Sequence, residues 1–261
     1  MDIRQYNRQA WDRKVAEKSI WTVPVDTNTI EAARKGEWRI ILTPTKSVPI
    51  EWFGDLVECD LLCLASGGGQ QGPILAATGA RVTVFDNSPA QLAQDRLVAE
   101  REGLELRTAE GDMADLGAFD NESFDLIVHP VANCFVPDLG PVWREAFRVL
   151  RPGGAILSGI MNPAYYCFDF ELAEKGVVEI RHKLPYSDIA DLDEATLDRH
   201  RQRGLPMEFS HSLTDQIAGQ LEAGFLLAGF YEDDFGPDIE DPISDYFPTM
   251  MATRAVKPRQ R

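Results

Sequence analysis

The chain alternates between short apolar runs of strand length and longer stretches in which apolar and polar positions are mixed. Short apolar runs bounded by glycine, proline or aspartate are typical of buried strands, whereas mixed stretches with a 3.6-residue period are typical of amphipathic helices. This order of elements predicts an α/β protein with a doubly wound sheet. The five runs that we assign as strands begin at Leu61, Arg81, Leu106, Phe124 and Ala155.

The carboxyl-terminal half continues the pattern. Trp143 to Leu150 has the spacing of an amphipathic helix, and Leu150-Arg-Pro-Gly-Gly154 breaks it before the strand Ala155–Ile160. Two further strands, Phe225–Tyr231 and Thr249–Val256, are expected to pair antiparallel at the edge of the sheet. They complete a sheet of seven strands with one strand reversed.

A glycine-rich loop follows the first apolar run. The stretch Leu61–Gly72 reads LLCLASGGGQQG, and its glycines at 67, 69 and 72 match the spacing G-x-G-x-x-G of dinucleotide-binding loops. Glycines at such a turn let a ligand approach backbone N–H groups without interference from Cβ atoms. The loop alone is a weak signal, because glycine-rich turns also occur in proteins that bind no nucleotide.

Asp86 ends the second strand, Arg81–Asp86, about 20 residues after the glycines. An acid at that offset is typical of a side chain that binds a ribose diol in a doubly wound sheet. We therefore expect Asp86 to bind a ribose, with Asn87 beside it. The alternative is that Asp86 only begins a turn and caps the helix that starts near Ser88.

A second acid is expected at the same edge of the sheet. The third apolar segment leads into Gly111-Asp112-Met113, which places Asp112 near the carboxyl end of a strand. Asp112 could accept a hydrogen bond from an adenine amino group while Met113 packs on the base. The alternative is a solvated acid in a turn.

Five of these elements, in this order, resemble the class I S-adenosylmethionine-dependent methyltransferases, particularly the small-molecule group called type 11. The resemblance covers about Leu61–Ile160 and implies a Rossmann-like sheet with the last strand antiparallel. It also implies S-adenosylmethionine as cofactor and methyl transfer to a small organic acceptor by in-line displacement. An NAD(P)-dependent reductase is the weaker alternative, because the chain has no Tyr-x-x-x-Lys pair. The five elements are the glycine loop, Asp86, Gly111–Met113, Phe124–Ile127 and Leu150–Gly154.

The resemblance also suggests which residues contact the cofactor. The chain departs from the family at Cys63, where an acid usually helps to hold the cofactor's ammonium group, and at Ala65, where the first glycine usually stands. We expect Ala65 to be tolerated if it keeps a negative φ. Because this acid is absent, a second alternative is a domain that binds the cofactor without transferring a methyl group. The expected contacts are Ala65, Gly67, Gly69, Asp86, Asn87, Asp112, Met113, His129 and Trp11.

Composition and charge limit the partners, the metal sites and the location that we expect for the chain. The chain has 261 residues and a formal net charge of −16, which disfavours a phosphate backbone as partner and argues against a nucleic-acid substrate. The four cysteines show no metal-binding spacing, so we expect no metal site and reduced, mostly buried thiols. No apolar stretch is long enough for a membrane span, and no secretory leader is evident; we expect a cytoplasmic enzyme.

The two flanks of the central region should define the acceptor site. Residues 1–55 hold Tyr6 and four tryptophans with helical spacing at the start, which predicts an amino-terminal cover segment containing Trp11. These aromatics could equally pack one ordinary helix against the sheet. The remaining residues, 56–261, form the methyltransferase domain, and 162–212 is an acceptor-side insertion after the fifth strand.

A proton acceptor is needed only if the methyl acceptor carries an O–H or N–H group. His129 is the histidine at the carboxyl end of a strand, which makes it the candidate base. Its competing role is a hydrogen-bonded lining residue. Asn133 could orient an acceptor or cap the turn before Phe135.

Overall fold

The computed structural model describes residues 1–237 and 239–259. One seven-stranded sheet forms its centre, with β1 to β5 parallel and β7 antiparallel to both of its neighbours, β5 and β6. The strand order is β3-β2-β1-β4-β5-β7-β6. The expected sheet of seven strands with one reversed strand is confirmed. The strands are β1 Asp60–Leu64, β2 Arg81–Asp86, β3 Leu106–Glu110, β4 Phe124–His129, β5 Leu150–Met161, β6 Leu226–Asp233 and β7 Met250–Val256.

Helices cover both faces of the sheet and one end of it. An amino-terminal helix, α1, precedes the sheet, and three short helices follow β5. A π-helical turn at Thr214–Ala218 leads into the last helix. The helices are α1 Ile3–Ala16, α2 Thr27–Arg34, α3 Gln71–Ala77, α4 Pro89–Glu102, α5 Gly140–Val149, α6 Phe170–Ala173, α7 Asp188–Asp191, α8 Glu194–Arg203 and α9 Gly219–Glu222.

The core lies on both faces of the parallel strands. In β1 the side chains of Leu61 and Cys63 pack with helices α2, α3 and α4, whereas Leu62 and Leu64 pack with α5 on the opposite face. All four side chains are fully buried. A parallel sheet that is buried on both faces reads as a continuous apolar run, which is why β1 could be found in the sequence.

Several element boundaries differ from the sequence expectations. The third strand ends at Glu110 rather than continuing towards Met113, and α5 begins at Gly140, three residues before Trp143. Pro141 suits the first turn of α5, because proline lacks only an N–H that has no helical partner there. The strand β5 starts at Leu150 itself, which pairs with Phe124.

Within the described residues, no helix combines the length and apolar character needed to cross a bilayer. The four cysteines are free thiols, and three of them, Cys59, Cys63 and Cys134, are buried.

Candidate functional site

A cavity of about 320 Å³ opens at the carboxyl ends of the parallel strands. Parallel α/β sheets bind ligands at this edge. One part of its wall, the β2 side, comes from the glycine loop and the segments at the ends of β2 and β3. The other part, the β5 side, comes from the segments after β4 and β6, the end of β5, the start of β7 and the insertion. The β2 side includes Gly67, Asp86, Asn87, Asp112 and Met113, and the β5 side includes Cys134, Met161, Tyr166, Glu208, Phe235 and Met250.

Two carboxyl groups, the partly exposed Asp86 and the fully buried Asp95, hold the glycine loop. The N–H of Gly67 donates to Oδ2 of Asp86 at 2.9 Å, and the N–H of Gly68 donates to Oδ2 of Asp95 at 3.0 Å. A Cβ atom on Gly67 would lie 2.7 Å from Cβ of Gln91, so no larger residue fits there without rearrangement. The loop therefore lies directly on α4, with its backbone along the cavity.

Gly69 occupies a different position from Gly67. It has a φ of +72°, and a Cβ atom there would lie 2.8 Å from Pro24 and 2.9 Å from the carbonyl oxygen of Gln94. It is absent from the cavity wall. Gly69 is therefore required by packing behind the loop, and the structure does not support a direct cofactor contact from it.

Ala65 has a φ of +47°, which contradicts the expectation of a negative φ. Its N–H donates to the carbonyl oxygen of Phe85 at 2.8 Å, which ties the end of β1 to β2 and fixes this backbone turn. An L-residue in the left-handed region costs about 1–2 kcal/mol relative to the right-handed region. Ala65 lines the cavity in this strained conformation.

Cys63 lies beneath the loop rather than in the cavity. It is fully buried in the core, where burial and the nearby negative charge of Asp95 raise the pKa of its thiol. Asp95 is also fully buried, and its Oδ1 has no hydrogen-bond partner. Asp95, on α4, therefore supports the glycine loop from below but does not line the cavity.

Asp86 lies on the cavity wall with both oxygens hydrogen-bonded to backbone. Oδ2 accepts from Gly67, and Oδ1 accepts from the N–H of Ser88 at 2.8 Å. Burial raises the pKa of Asp86 to about 6. Each carboxylate oxygen has a second lone pair, so Asp86 can still accept two ligand hydroxyls.

The cap of α4 is Ser88 rather than Asp86. The Ser88 hydroxyl accepts from the N–H of Gln91 at 3.1 Å, as an N-cap does. Asn87 bonds with α1, since its Nδ2 donates to the carbonyl oxygen of Arg4 at 2.8 Å. Asp86 therefore accepts a hydrogen bond within the turn, and Ser88 caps α4.

Asp112 and Met113 line the wall next to Asp86. Oδ1 of Asp112 accepts from the N–H of Ala114 at 2.9 Å, so its carboxylate is held by a local turn. Met113 is buried against the wall. Asp112 is half-exposed at this turn and lines the cavity.

The side chain of His129 does not line the cavity, so the structure does not support the roles expected for it as cofactor contact, candidate base or lining residue. Its ring is fully buried, with Nδ1 2.8 Å from the carbonyl oxygen of Leu64 and Nε2 2.8 Å from Oδ1 of Asn133. Burial lowers the pKa of His129. Asn133 is also buried and bonds onward to Gln216 at 2.9 Å. Both residues belong to a polar network below the wall, where neither can take a proton from an acceptor or orient one.

Helix α1 covers both sides of the cavity. Trp11 lines it and packs edge to face on Phe135, with ring centroids 5.2 Å apart. Towards the β2 side, Oδ1 of Asp12 accepts from the Ser88 hydroxyl at 2.6 Å. Towards the β5 side, Asn7 donates to the carbonyl oxygens of Phe135 and Met207, each at 3.0 Å, and accepts from the N–H of Met207. The helical cover predicted from the aromatic spacing is present.

Sequence reasoning missed the polar pair on the β5 side. The Tyr166 hydroxyl donates to Oε2 of Glu208 at 2.7 Å, and both residues line the cavity. Burial, and the nearby negative charge of Asp188, raise the pKa of Glu208 to about 7. The one signal in the sequence was a single acid within the apolar stretch Leu205–Phe209.

The β2 side fits the nucleoside that the sequence implied. Two carboxyl groups stand at the ends of adjacent strands, with a wall of loop backbone on one side and a methionine on the other. These are groups that can accept from a ribose diol and from an adenine amino group. The β5 side has a different character, with sulfur and aromatic side chains around one acid.

Comparison with known proteins identifies the family. Residues 62–158 match a family model described as a methyltransferase domain. The chain is 50% identical over 252 residues to the uncharacterized methyltransferase YbaJ of Bacillus subtilis (strain 168), and this match covers 97% of each chain.

Solved structures show the same fold at low identity. An S-adenosylmethionine-dependent methyltransferase from Mesorhizobium loti superposes with a TM-score of 0.60 at 16% identity, covering 79% of this chain and 94% of the other. The 1,6-didemethyltoxoflavin-N1-methyltransferase of Burkholderia thailandensis, with S-adenosylhomocysteine bound, gives 0.58 at 13% identity and covers 97% and 88%. The NAD(P)-dependent reductase is thereby set aside, and S-adenosylmethionine is the cofactor. The chain belongs to the class I S-adenosylmethionine-dependent methyltransferases.

Proposed function

We propose that this methyltransferase acts on a small organic acceptor bound at the β5 side of the cavity. The observation that supports the proposal is the continuity of the cavity from the β2 side into a largely apolar space under α1 and the insertion. Enclosed, mostly apolar sites with a few polar groups are typical of small-molecule binding. The structural neighbour from Burkholderia thailandensis holds a small molecule, 1,6-didemethyltoxoflavin.

The proposed cofactor contacts lie at the β2 side. Asp86 accepts from the ribose hydroxyls, Asp112 accepts from the adenine amino group, and Met113 packs on the base. Gly67 and Ala65 present backbone to the cofactor, and Trp11 and Asn87 close the site from the side of α1. The carboxyl groups already bonded to backbone are positioned before any ligand arrives, which lowers the entropic cost of binding.

The bound cofactor supplies an electrophilic methyl group on a sulfonium. The chain's own contribution is to align the acceptor and to keep water away, and such positioning can account for several kcal/mol of barrier lowering. The apolar wall formed by Met161, Phe235 and Met250 serves both purposes.

Three broader expectations remain part of the proposal. We assign 1–55 as the cover segment and 56–261 as the methyltransferase domain, with 162–212 as the acceptor-side insertion. The net charge of −16 favours an acceptor other than nucleic acid. We place the enzyme in the cytoplasm.

Two measurements test the proposal. The first is calorimetric titration of the chain with S-adenosylhomocysteine, where Asp86→Ala should weaken binding by about 100-fold or more, since two hydrogen bonds to a charged group are lost. The matched control is Asp120→Ala, which removes an exposed acid outside the cavity. Equal affinities of the two variants would contradict the role of Asp86.

The second measurement follows radiolabelled methyl transfer into a cell extract separated into small-molecule, protein and nucleic-acid fractions. Label is expected in the small-molecule fraction only. Label confined to a macromolecular fraction would refute the proposed acceptor class while leaving the cofactor assignment intact.

A further inference from the structure

The backbone around Glu208 is fixed on both sides. The N–H of Glu208 donates to Oδ2 of Asp188 at 2.7 Å, and the next residue, Phe209, donates its N–H to the carbonyl oxygen of Cys134 at 2.8 Å. Phe209 also forms an isolated antiparallel bridge with Ser187. Glu208 therefore projects into the cavity from a defined position rather than from a loose loop.

One carboxylate oxygen of Glu208 is occupied and the other is free. Oε2 accepts from the Tyr166 hydroxyl at 2.7 Å, and Tyr166 is itself held by stacking on Tyr186, with ring centroids 5.7 Å apart. Among residues 1–237 and 239–259, no donor is bonded to Oε1 of Glu208. The tyrosine thus orients the carboxyl group and leaves one oxygen for a ligand.

The surroundings of Glu208 contain no cation in contact with it. None of the ion pairs among the described residues includes Glu208. The charged and titratable groups that face it are Asp188 on α7, Lys14 on α1 at longer range, Cys134 after β4, Tyr165 and Tyr166 after β5, and Tyr186 before α7. Of the described residues on the β5 side, it is the one carboxylic acid on the cavity wall.

An acid in such a place is not explained by stability. Glu208 is partly buried in a largely apolar wall, and withdrawing a carboxyl group from water without a cationic partner costs free energy. Buried acids with perturbed protonation in a cavity are characteristic of functional sites.

We propose that Glu208 is the catalytic base of this methyltransferase, and that the acceptor is a small, mainly apolar molecule whose methylated atom carries an O–H or N–H proton. This inference rests on the proposed function. As the acceptor's lone pair forms the bond to the methyl carbon, the carbon–sulfur bond breaks with its electrons remaining on sulfur. The acceptor's proton passes to Oε1 of Glu208 and afterwards to solvent. Tyr166 is a positioning residue, because it acts through Glu208.

The protonation behaviour of Glu208 suits this role. A base works best when its pKa lies near the working pH, and burial has moved the pKa of Glu208 to about 7. Because its folded pKa is raised, Glu208 becomes an effective proton acceptor only as the pH rises through that value.

The first test uses a matched pair of small probes on the full chain saturated with S-adenosylhomocysteine. p-Cresol carries one O–H that toluene lacks, and their binding is compared by ligand-observed NMR at pH 8. The wild type should prefer p-cresol by about tenfold, the value of one hydrogen bond to a charged group. Glu208→Gln should lose most of this preference, and Glu194→Gln, which removes an exposed acid of the insertion, should keep it.

A second readout is the infrared C=O stretch of a protonated carboxylic acid. Asp86 and Asp95 also hold protons in this pH range, so the wild type is compared with Glu208→Gln by difference. The component of the band that Glu208→Gln removes should titrate with a midpoint near pH 7. Tyr166→Phe should move the midpoint to higher pH, because the donated hydrogen bond favours the carboxylate. A purely structural glutamate would show no coupling between this midpoint and probe preference.

The outcomes separate this proposal from the broader one. No preference for p-cresol in the wild type, or a preference that survives in Glu208→Gln, overturns the assignment of Glu208. Failure of the wild type to bind S-adenosylhomocysteine would instead refute the proposed function. Once an acceptor is known, Glu208→Gln should lower kcat by about 100-fold or more with little change in KM, and a loss within threefold would overturn the proposal.

Discussion

The β2 side and the β5 side of the cavity are assembled in different ways. On the β2 side, Asp86 accepts from Ser88 two residues away and from Gly67 on the neighbouring strand end, and Asp112 accepts from Ala114. On the β5 side, Tyr166 meets Glu208 across 42 positions of sequence, and Asn7 meets Met207 across 200. Short-range contacts position the two carboxyl groups of the β2 side, which α1 also reaches through Asp12 and Arg4, whereas distant contacts build the β5 side.

This difference matches the division of labour that we propose. In this proposal the β2 side receives the cofactor, and short motifs at strand ends supply its two carboxyl groups. The β5 side is proposed to receive the acceptor, and its composition depends on how the insertion and α1 fold over the sheet. A change of acceptor can therefore arise without any change in the motifs that identify the family.

The largest effect that we predict concerns Asp95, below the glycine loop. Burial raises its pKa to about 8, so between pH 4 and 8 the folded chain keeps a proton that the unfolded chain releases. The folded state binds more protons, and the stability contribution of Asp95 therefore falls as pH rises through this window. Asp95→Asn keeps a neutral group at every pH, and its stability relative to the wild type should rise by about 1 kcal/mol per pH unit.

Urea unfolding at pH 5 and at pH 7.5 measures this difference, and Asp120→Asn is the exposed control. If the free energy of unfolding of Asp95→Asn depends on pH as that of the wild type does, Asp95 is ionised in the folded protein. The glycine loop is then held by a charged carboxylate rather than by a neutral carboxyl group.

The next effect concerns the attachment of α1 to the β5 side. Asn7→Ala removes the partner of two buried backbone groups of Met207 and a partly buried one of Phe135, and should lower the free energy of unfolding by about 2 kcal/mol. The exposed neighbour Gln9→Ala should change it by less than about 0.5 kcal/mol. Urea unfolding compares the two.

The affinity of Asn7→Ala for S-adenosylhomocysteine sharpens the contrast between the sides. Because the hydrogen bonds of Asn7 reach only Phe135 and Met207, on the β5 side, we expect this affinity to stay within about threefold of the wild type. A much larger loss would show that the two sides are not built independently.

A smaller effect is the pH dependence of cofactor binding. Ribose hydroxyls bind the carboxylate form of Asp86, whose pKa burial raises to about 6, with the negative charge of Asp12 adding to the shift. Protonation removes the acceptor, so the affinity for S-adenosylhomocysteine should fall below pH 6, by up to about tenfold per pH unit. Calorimetry across this range tests it, and a flat profile in Asp86→Asn is the expected control result.

The smallest effect concerns the strained residue in the loop. Ala65→Gly relieves a positive φ but adds backbone freedom to the unfolded chain, and the balance should stabilise the protein by about 0.5 kcal/mol. Ala76→Gly, in the helix α3, should destabilise it by about 1 kcal/mol. In thermal unfolding, the melting temperature should rise in Ala65→Gly and fall in Ala76→Gly. A change of the same sign in both variants would contradict the strain at Ala65.

The difference between local and long-range contacts explains which features of the fold and the site could be predicted from the sequence. The strands, Asp86 and Asp112 were predictable because apolar runs and short spacings are local properties. The positive φ of Ala65 was not, because it follows from a hydrogen bond to Phe85 on another strand. The prediction for His129 failed because a residue at the carboxyl end of a strand can place its side chain in the core instead of on the cavity wall.

Glu208 and Tyr166 could not have been paired from the sequence. Both lie in or beside the insertion, where acids are frequent and periodicity is weak, and only tertiary folding brings them together. Asp95 was hidden for a related reason, since an acid in a helix is ordinarily exposed and nothing in the sequence marked it as buried.

Met161 and Met250 are paired residues of β5 and β7, and both form part of the β5 side. Methionine side chains are flexible and polarizable, so this pair can adjust its shape to acceptors of different outline without movement of the sheet. The same property carries a vulnerability. Oxidation of either sulfur to the sulfoxide would place a polar oxygen on an apolar wall, and enzymatic reduction of the sulfoxide would restore it.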